Sequence, residues 1–476
     1  MRTAGRGRVR PADSLVDDSL RTTARVPYWL DDTARPDPQQ ALRGSTTADL
    51  AVVGGGYSGL WTALLAKERD PHRDVVVCEA FECGQAASGR NGGFAEPSLT
   101  HGFANGLARW PDEMPRLLEL GRANLDELVE TVRRYAIDCR LDRTGELNVA
   151  TAPHQVAELG EQAKQMRGMG LDCELLDEQE VRRRVDSPTY LAALYDPLTV
   201  LVEPARLAWG LRQACLDLGV QIHEHTAVTG VSRAGDGVDL LTTQGSVRAD
   251  QVVLATNAFP SLLRRLRWLT VPVYDYALVT EPLRSDQLDR IGWAGREGIG
   301  DSGNRFHYYR RTRDDRILFG GYDAIYHYGS RIDPSYDDRD ATYRLLAGHF
   351  FETFPQLDDV VFSHAWGGVI DTCTRFSAFY GTALGGRLAY AAGYTGLGVS
   401  ATRFAGQVVL DLLAGEQTER TALAMVRTRP VPFPPEPLRY AGIQATRWSL
   451  ARADDRAGKQ NVWLRLMDRL GLGFDS

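Results

Sequence analysis

Apolar and polar positions change their period many times along the 476 residues of this chain. "DLAVVG" (49–54) is a short apolar run of the kind a strand buried on both faces shows, and 57–68 then turns to helical spacing. A second strand-like run, "DVVVCE" (74–79), follows it. Helical periodicity covers 107–134 and 155–169, with the short strand-like "GELNVA" between them. A helix is predicted over 204–218, with Pro204 well suited to its first turn. Then come strand-like segments: "VQIHEH", "GVDLLTT", "SVRADQVVLAT", "VYDYALVTE" and "NRFHYYRRTRDDRILFGG". The pattern predicts an α/β chain, with a nucleotide-binding unit and a second, mostly antiparallel sheet.

Glycines sharpen the first unit. Between the 49–54 run and the helix stand Gly54, Gly56 and Gly59, spaced G-x-G-x-x-G. Gly54 permits a tight turn, Gly56 removes a Cβ that would keep a diphosphate off the helix N-terminus, and Gly59 lets helix and strand pack closely. The second run ends in Glu79, about 25 residues on, where a carboxylate can accept ribose hydroxyls. Three spaced glycines alone are a weak signal; with strand, helix and acid together they specify a dinucleotide site. The acid disfavours NADP, whereas NAD and FAD both satisfy this half of the chain. A second glycine-rich junction, "AAGYTGLGVSATRFAG", stands about 340 residues later, so the nucleotide unit is interrupted and then completed near the C-terminus.

Composition narrows the partners. Apolar content of 43% and charged content of 25% are ordinary for a globular protein, and a net charge of −7 argues against a general nucleic-acid surface. Six cysteines without metal-ligand spacing read as separate thiols, with no metal site. No stretch has the apolar length of a membrane span. "MRTAGRGRVRPADS" is basic without an apolar segment behind it, so it reads as a frayed arm, and a cytoplasmic location is expected.

As a set, "VVGGGYSGL", "AASGRNGG", "VEPARLAWGLRQACLDLGVQIHEHTAV", "DQVVLATNAF", "VYDYALVTEPL", "YYRRTRDDRILFGG", "AWGG" and "AAGYTGLGVSATRFAG" resemble the FAD-dependent amine and amino-acid oxidoreductases of the D-amino-acid oxidase superfamily, nearest to the gamma-glutamylputrescine oxidoreductase branch. The resemblance implies FAD as cofactor and a glutathione-reductase-like two-domain flavoprotein: an FAD-binding Rossmann-like domain with a mostly antiparallel-sheet substrate domain. The expected organisation is an N-terminal arm (1–45), FAD-binding parts at 46–105, 201–265 and 366–415, a helical insertion of the substrate domain at 106–200, the substrate-binding sheet at 266–365 and a C-terminal tail (416–476).

The same resemblance implies site residues. Gly54, Gly56 and Gly59, with Tyr57 and Ser58 in their turn, would hold the diphosphate; Glu79 and Ala80 the adenosine ribose; Val228 the adenine through its backbone. Ser88, Arg90, Asn91 and Gly92 would lie beside the diphosphate, ribityl chain or ring, and Ala255 and Thr256 near the dinucleotide. Gly393, Thr395, Gly396, Leu397, Gly398 and Val399 would reach the ribityl chain and the pyrimidine edge. A helix N-terminus there suits the negative charge that arrives with a hydride.

The substrate side is less determined. In "NRFHYYRR" one face carries Phe306, Tyr308 and Arg310, the other His307 and Tyr309; the second is expected to face the substrate. Trp366 is a candidate wall of the pocket or a core residue, and Arg375 a partner for a substrate carboxylate or one half of an ion pair between domains. The segment "TCTRFSAF" replaces the proline-rich approach to the pocket that the family often carries.

The expected reaction is oxidation of a primary or secondary amine or amino acid by hydride transfer to the flavin, giving an imine that hydrolyses to aldehyde or keto acid. Alternatives are a 2-hydroxy-acid dehydrogenase with His307 as base, an amine dehydrogenase using an acceptor other than oxygen, and a noncatalytic flavoprotein. Oxygen is the favoured acceptor, although Lys67, Lys164 and Lys459 are the only lysines and none is placed to stabilise superoxide. The tail after 415 is predicted to run extended through "RTRPVPFPPEPLRY" and then to be helical, covering the fold or making a homo-oligomer contact.

Overall fold

The structure is a computed structural model and describes residues 10–472. The run at 49–54 belongs to the strand Gly44–Val53, whose last four residues are buried. It pairs in parallel with Val75–Cys78 on one side and with Gly245–Leu254 on the other. The sheet extends in parallel to Gln221–His223 at one edge and to Leu388–Ala392 near the other, where Phe379–Ala383 turns back antiparallel. Helices Tyr57–Arg69, Pro204–Asp217 and Ala401–Ala414 pack with this sheet through one apolar core that includes Leu60, Leu64, Leu207, Leu211, Phe404 and Val408. Segments from the beginning, middle and end of the chain therefore build one Rossmann-like unit.

A second sheet runs Ile325–Tyr326, Val271–Thr280, Ile317–Gly321, His307–Arg311, Gly298–Asp301, Glu146–Ala150, Ala192–Asp196 and Glu174–Asp177. All pairs are antiparallel except Gly298–Asp301 with Glu146–Ala150. The long strand Phe362–Thr372 pairs with the free edge of Val271–Thr280. One face is covered by helix Asp340–Thr353, which buries Tyr343, Leu346 and Phe350 against Tyr276, Leu278, Tyr309 and Phe319. The periodicity reading did not assign that helix. The opposite face packs Ala277, Val279, Leu318, Trp366 and Tyr308 against Trp29, Leu30, Ala205 and Trp209, and so turns toward the nucleotide unit.

The arm differs from the expectation where it is described. Asp13–Leu20 is a helix, and Trp29 is buried with its indole N–H donating to the Asn91 carbonyl at 2.9 Å; residues 1–9 lie outside the described part. At the other end, 428–437 is non-helical, and Leu438–Asp454 and Val462–Arg469 are helices, in line with the apolar spacing. Glu436 accepts from Tyr326 and from the Gly329 N–H, Arg447 reaches Asp323 at 2.8 Å, and Asp454 accepts from Asn304, so the tail lies along the substrate sheet. Among the described residues no helix is long and apolar enough to cross a membrane.

Candidate flavin and substrate site

The first glycine turn is built by close approaches. Gly54 has φ +114° and a Cβ there would sit 2.5 Å from the Ala255 carbonyl oxygen; a Cβ on Gly59 would overlap the Gly54 carbonyl. Both glycines are therefore required by packing. Gly56 is different, because the only atom near its would-be Cβ is Ser88 Oγ at 3.0 Å. The side of the turn that a diphosphate would approach is open, and the helix N-terminus lies beneath it. Ser88 Oγ accepts from the Tyr57 N–H at 2.9 Å and Ser58 Oγ bonds Tyr394 Oη at 2.8 Å, so the two glycine junctions meet.

Glu79 ends the second parallel strand. Its carboxylate accepts from the Gly55 N–H at 2.6 Å and the Phe81 N–H at 2.9 Å, and burial raises its pKa against those backbone donors. Next to Ala80, the Glu79 carbonyl accepts from Thr226 at 2.6 Å, which brings the segment leading to Val228 alongside. Ala255 donates to the Val53 carbonyl, and Thr256 lines a separate cavity with Trp268 and Ala392. At the second junction Thr395 (φ +54°) and Gly396 (φ +96°) make the turn, nothing lies within 4 Å of a Cβ on Gly396, and Leu397 donates back to the Tyr394 carbonyl. Gly398 starts the run into helix Ala401–Ala414, and Val399 is buried. An open-sided turn over a helix start, a carboxylate at the neighbouring strand end and a second turn with free space fit an adenine dinucleotide carrying a flavin.

Residues 85–93 connect this site to the substrate sheet. Arg90 donates to Gln85 O (3.0 Å), Gly367 O (3.0 Å) and Asp337 (2.5 Å). Asn91 braces its own loop, accepting from the Gly93 N–H and donating to the Ala87 carbonyl. Arg310, buried in the sheet, donates to Val202 O at 2.6 Å and to the carbonyls of Gly92 and Gly93 at 3.4 Å. Burial pushes its pKa down to about 10.

The strand His307–Arg311 reverses the parity expected of it. Tyr308, not His307 or Tyr309, faces the loop: a Cβ on Gly92 would touch its ring at 2.8 Å. The Tyr308 hydroxyl donates to Asp275 Oδ2 at 2.8 Å, and burial pushes the Asp275 carboxyl up to about 6. Tyr309 is fully buried on the helix-covered face and bonded to Tyr190 Oη at 2.7 Å. His307 lies on that same face, in a chain from Asp301 (2.6 Å) to His349 (2.9 Å) and stacked on Tyr322. The face is decided by helix Asp340–Thr353, which packs on the odd-numbered positions of this strand.

Two further candidates have structural positions. Trp366 is buried among Trp29, Ala277 and Leu318 and donates its indole N–H to the Arg90 carbonyl at 2.9 Å, so it holds the loop from behind. Among the described residues Arg375 pairs with no carboxylate: it donates to the carbonyls of Ser377, Ala378 and Thr428. A guanidinium spent on three backbone acceptors and buried to 5% exposure is a loop clamp. Sequence reasoning missed Tyr308 and Asp275. The signal was Gly320 in the adjacent strand, whose missing side chain leaves room for the Tyr308 ring.

On the same side, beyond Phe94, whose ring meets Tyr308 edge-on at 6.2 Å, a cavity of about 170 Å³ is lined by Glu96, Glu146 and Asp196 together with Asn148, Met166 and Leu194. Burial, then the nearby Asp196, pushes Glu96 up to about 7, and burial raises Glu146 and Asp196 as well.

A Rossmann-like unit whose sheet ends carry two glycine turns, facing a mostly antiparallel sheet across a loop, defines a two-domain flavoprotein. The chain belongs to the family of FAD dependent oxidoreductases, which it matches over residues 49–412. It is 33% identical to gamma-glutamylputrescine oxidoreductase of Escherichia coli K12 over 414 residues, 85% of this chain and 92% of that protein. To glycine oxidase of Geobacillus kaustophilus it is 27% identical over 299 residues, 60% of this chain and 77% of that protein. The crystal structure of glycine oxidase from Geobacillus kaustophilus superposes with a TM-score of 0.68 at 21% identity, covering 81% of this chain and 99% of that one. L-proline dehydrogenase from P. horikoshii gives 0.65 at 19%, covering 79% and 96%. The protein is an FAD-dependent oxidoreductase of the D-amino-acid oxidase superfamily.

Proposed function

We propose that the protein oxidises a primary or secondary amine that arrives as a cation and carries no carboxylate on the reacting carbon. The observation that carries this reading is the Asp275–Tyr308 pair on the face turned to Gly92. The adjoining cavity is lined by Glu96, Glu146 and Asp196, with Arg122 acting on Asp196. Of the other arginines, Arg90 is engaged with Asp337 and Arg310 with backbone carbonyls, while Arg375 clamps its own loop. A substrate carboxylate beside Tyr308 would meet Asp275. The 33% identity to gamma-glutamylputrescine oxidoreductase supports the same branch.

FAD, held by the two glycine turns and Glu79, supplies the hydride acceptor when bound. The work of this chain's residues is to orient and deprotonate. Asp275 attracts the ammonium and takes its proton at Oδ, which frees the nitrogen lone pair that weakens the adjacent C–H bond. A carboxyl pushed up to about 6 is mostly ionised at neutral pH and still basic enough for that transfer. Tyr308 fixes the carboxylate and closes the site over Gly92. The imine product would hydrolyse to the carbonyl compound, and oxygen would serve as electron acceptor, with hydrogen peroxide as its product. A matched pair of substrates with a single amine tests this: kcat/KM for butylamine against norvaline, its α-carboxylated counterpart. The reading expects butylamine to be preferred by at least tenfold, and preference for norvaline would reject it.

A further inference from the structure

Asp371 is buried to 1% exposure at the end of strand Phe362–Thr372, and it is not needed for any step above. Its carboxylate crosses to the second glycine junction: it accepts from the Gly393 N–H through Oδ2 and from the Tyr394 N–H through Oδ1 at 3.1 Å. The Thr395 N–H donates to its carbonyl at 3.2 Å, and Thr395 Oγ1 accepts from the Cys373 N–H at 3.3 Å. One residue of the substrate sheet thus fixes three consecutive positions of the turn whose next residue, Gly396, borders empty space. Among the described residues Asp371 has no ion pair. The ionisable groups around it are Cys373 just past the end of its strand and Tyr394 on the turn, with Tyr380 and Arg375 beyond them.

We propose that Asp371 is the positioning residue of the cofactor-facing turn, and that it takes up a proton when an anionic flavin nucleotide binds there. It rests on FAD being the ligand of that turn. The carboxylate orients the turn by accepting its first two N–H groups, which sets the open side of Gly396 toward the cofactor. It is also a lone buried negative charge on the junction that Tyr394 joins to the diphosphate turn through Ser58, and the diphosphate brings more negative charge. Proton uptake from solvent converts the carboxylate to a carboxyl and offsets part of that charge. Burial, partly offset by the backbone donors, already pushes this carboxyl up to about 7 in the free protein, so the exchange falls in an accessible range.

The test is FAD affinity of the apoprotein, titrated by flavin fluorescence from pH 5.5 to 8.5, in the wild type and in D371N. Wild-type binding is expected to tighten at least fivefold from pH 8 to pH 6, and D371N to bind at least tenfold more weakly with most of that pH dependence gone. Binding in the wild type that does not change with pH would overturn the proposal without any variant. An unchanged affinity and pH profile in D371N would overturn it equally, and would leave the cofactor reading standing. A wild-type apoprotein that binds no FAD would overturn the cofactor reading and this proposal with it. Thermal unfolding of the two apoproteins gives a second readout. With its folded pKa raised, Asp371 favours the folded state most below the ordinary carboxylate range and loses that contribution as pH rises toward 7. The wild type should therefore lose stability relative to D371N between pH 4 and 7; parallel profiles would contradict the buried charge.

Discussion

The Tyr308 hydroxyl reaches Asp275 Oδ2 at 2.8 Å although their strands are not neighbours. Strand Ile317–Gly321 runs between them, and the bond passes over Gly320, where a Cβ would sit 2.7 Å from the Tyr308 hydroxyl oxygen. Ala277, directly across from Gly320, is small as well. The polar pair at the substrate face thus depends on an absent side chain in a strand that contributes no polar group to it.

Gly320→Ala should displace the Tyr308 ring and part the pair. Overpacking of this kind costs about 1–3 kcal/mol, which a chain with two cores can absorb. The expected result is a folded, flavin-containing protein whose kcat/KM for the amine falls at least tenfold, checked by steady-state kinetics beside a flavin spectrum. Normal kinetics would mean that the pair does not serve the substrate.

Asp275 should set the acidic limb of the pH profile. Below its pKa of about 6 the carboxyl is protonated and can neither attract the ammonium nor accept its proton. Anaerobic flavin reduction should fall as pH drops through that value. D275N should lower the rate at pH 7 by about a hundredfold, within the usual range for a lost base, and remove the limb. His307→Asn should leave the limb in place, since His307 lies on the helix-covered face.

Gly56→Val should abolish FAD binding while sparing the fold. The space beside Gly56 holds only Ser88 Oγ, so a branched side chain enters the cofactor's approach before it disturbs the packed turn. Far-ultraviolet circular dichroism and the flavin content of purified protein measure the two effects separately. A full complement of FAD in this variant would misplace the diphosphate.

Reoxidation is expected to depend on Arg90. Lys67 donates to the Pro71 and Arg73 carbonyls, and Lys164 faces Glu161 on an exposed helix. Arg90 is the cation in the loop between the two domains, held by Asp337 and Gly367. Stopped-flow mixing of reduced enzyme with oxygen should show Arg90→Gln reoxidising at least tenfold more slowly, while an artificial acceptor is affected far less. Equal oxygen rates would assign superoxide stabilisation elsewhere.

The nucleotide unit was legible because its signals are local. A buried strand, an open-sided Gly56 and an acid at the next strand end all fall within 49–79, and each is read without knowing the rest of the fold. The substrate face was not legible for a reason of the same physics. A strand with aromatics on both faces has no inside until something covers one of them, and the cover is helix Asp340–Thr353, which begins 31 residues downstream of Tyr309. Arg375 misled for a second reason: its charge is visible in the sequence, whereas the carbonyls that occupy it belong to a loop whose shape is not.

On the proposed reading, this face receives an ammonium and no neighbouring carboxylate. Anaerobic mixing of the oxidised protein with a primary amine, an α-amino acid and a 2-hydroxy acid, each followed by loss of the flavin absorbance near 450 nm, tests it most directly. Rapid bleaching by the amine alone is the predicted result; bleaching by the amino acid or the hydroxy acid with none by the amine would contradict the account.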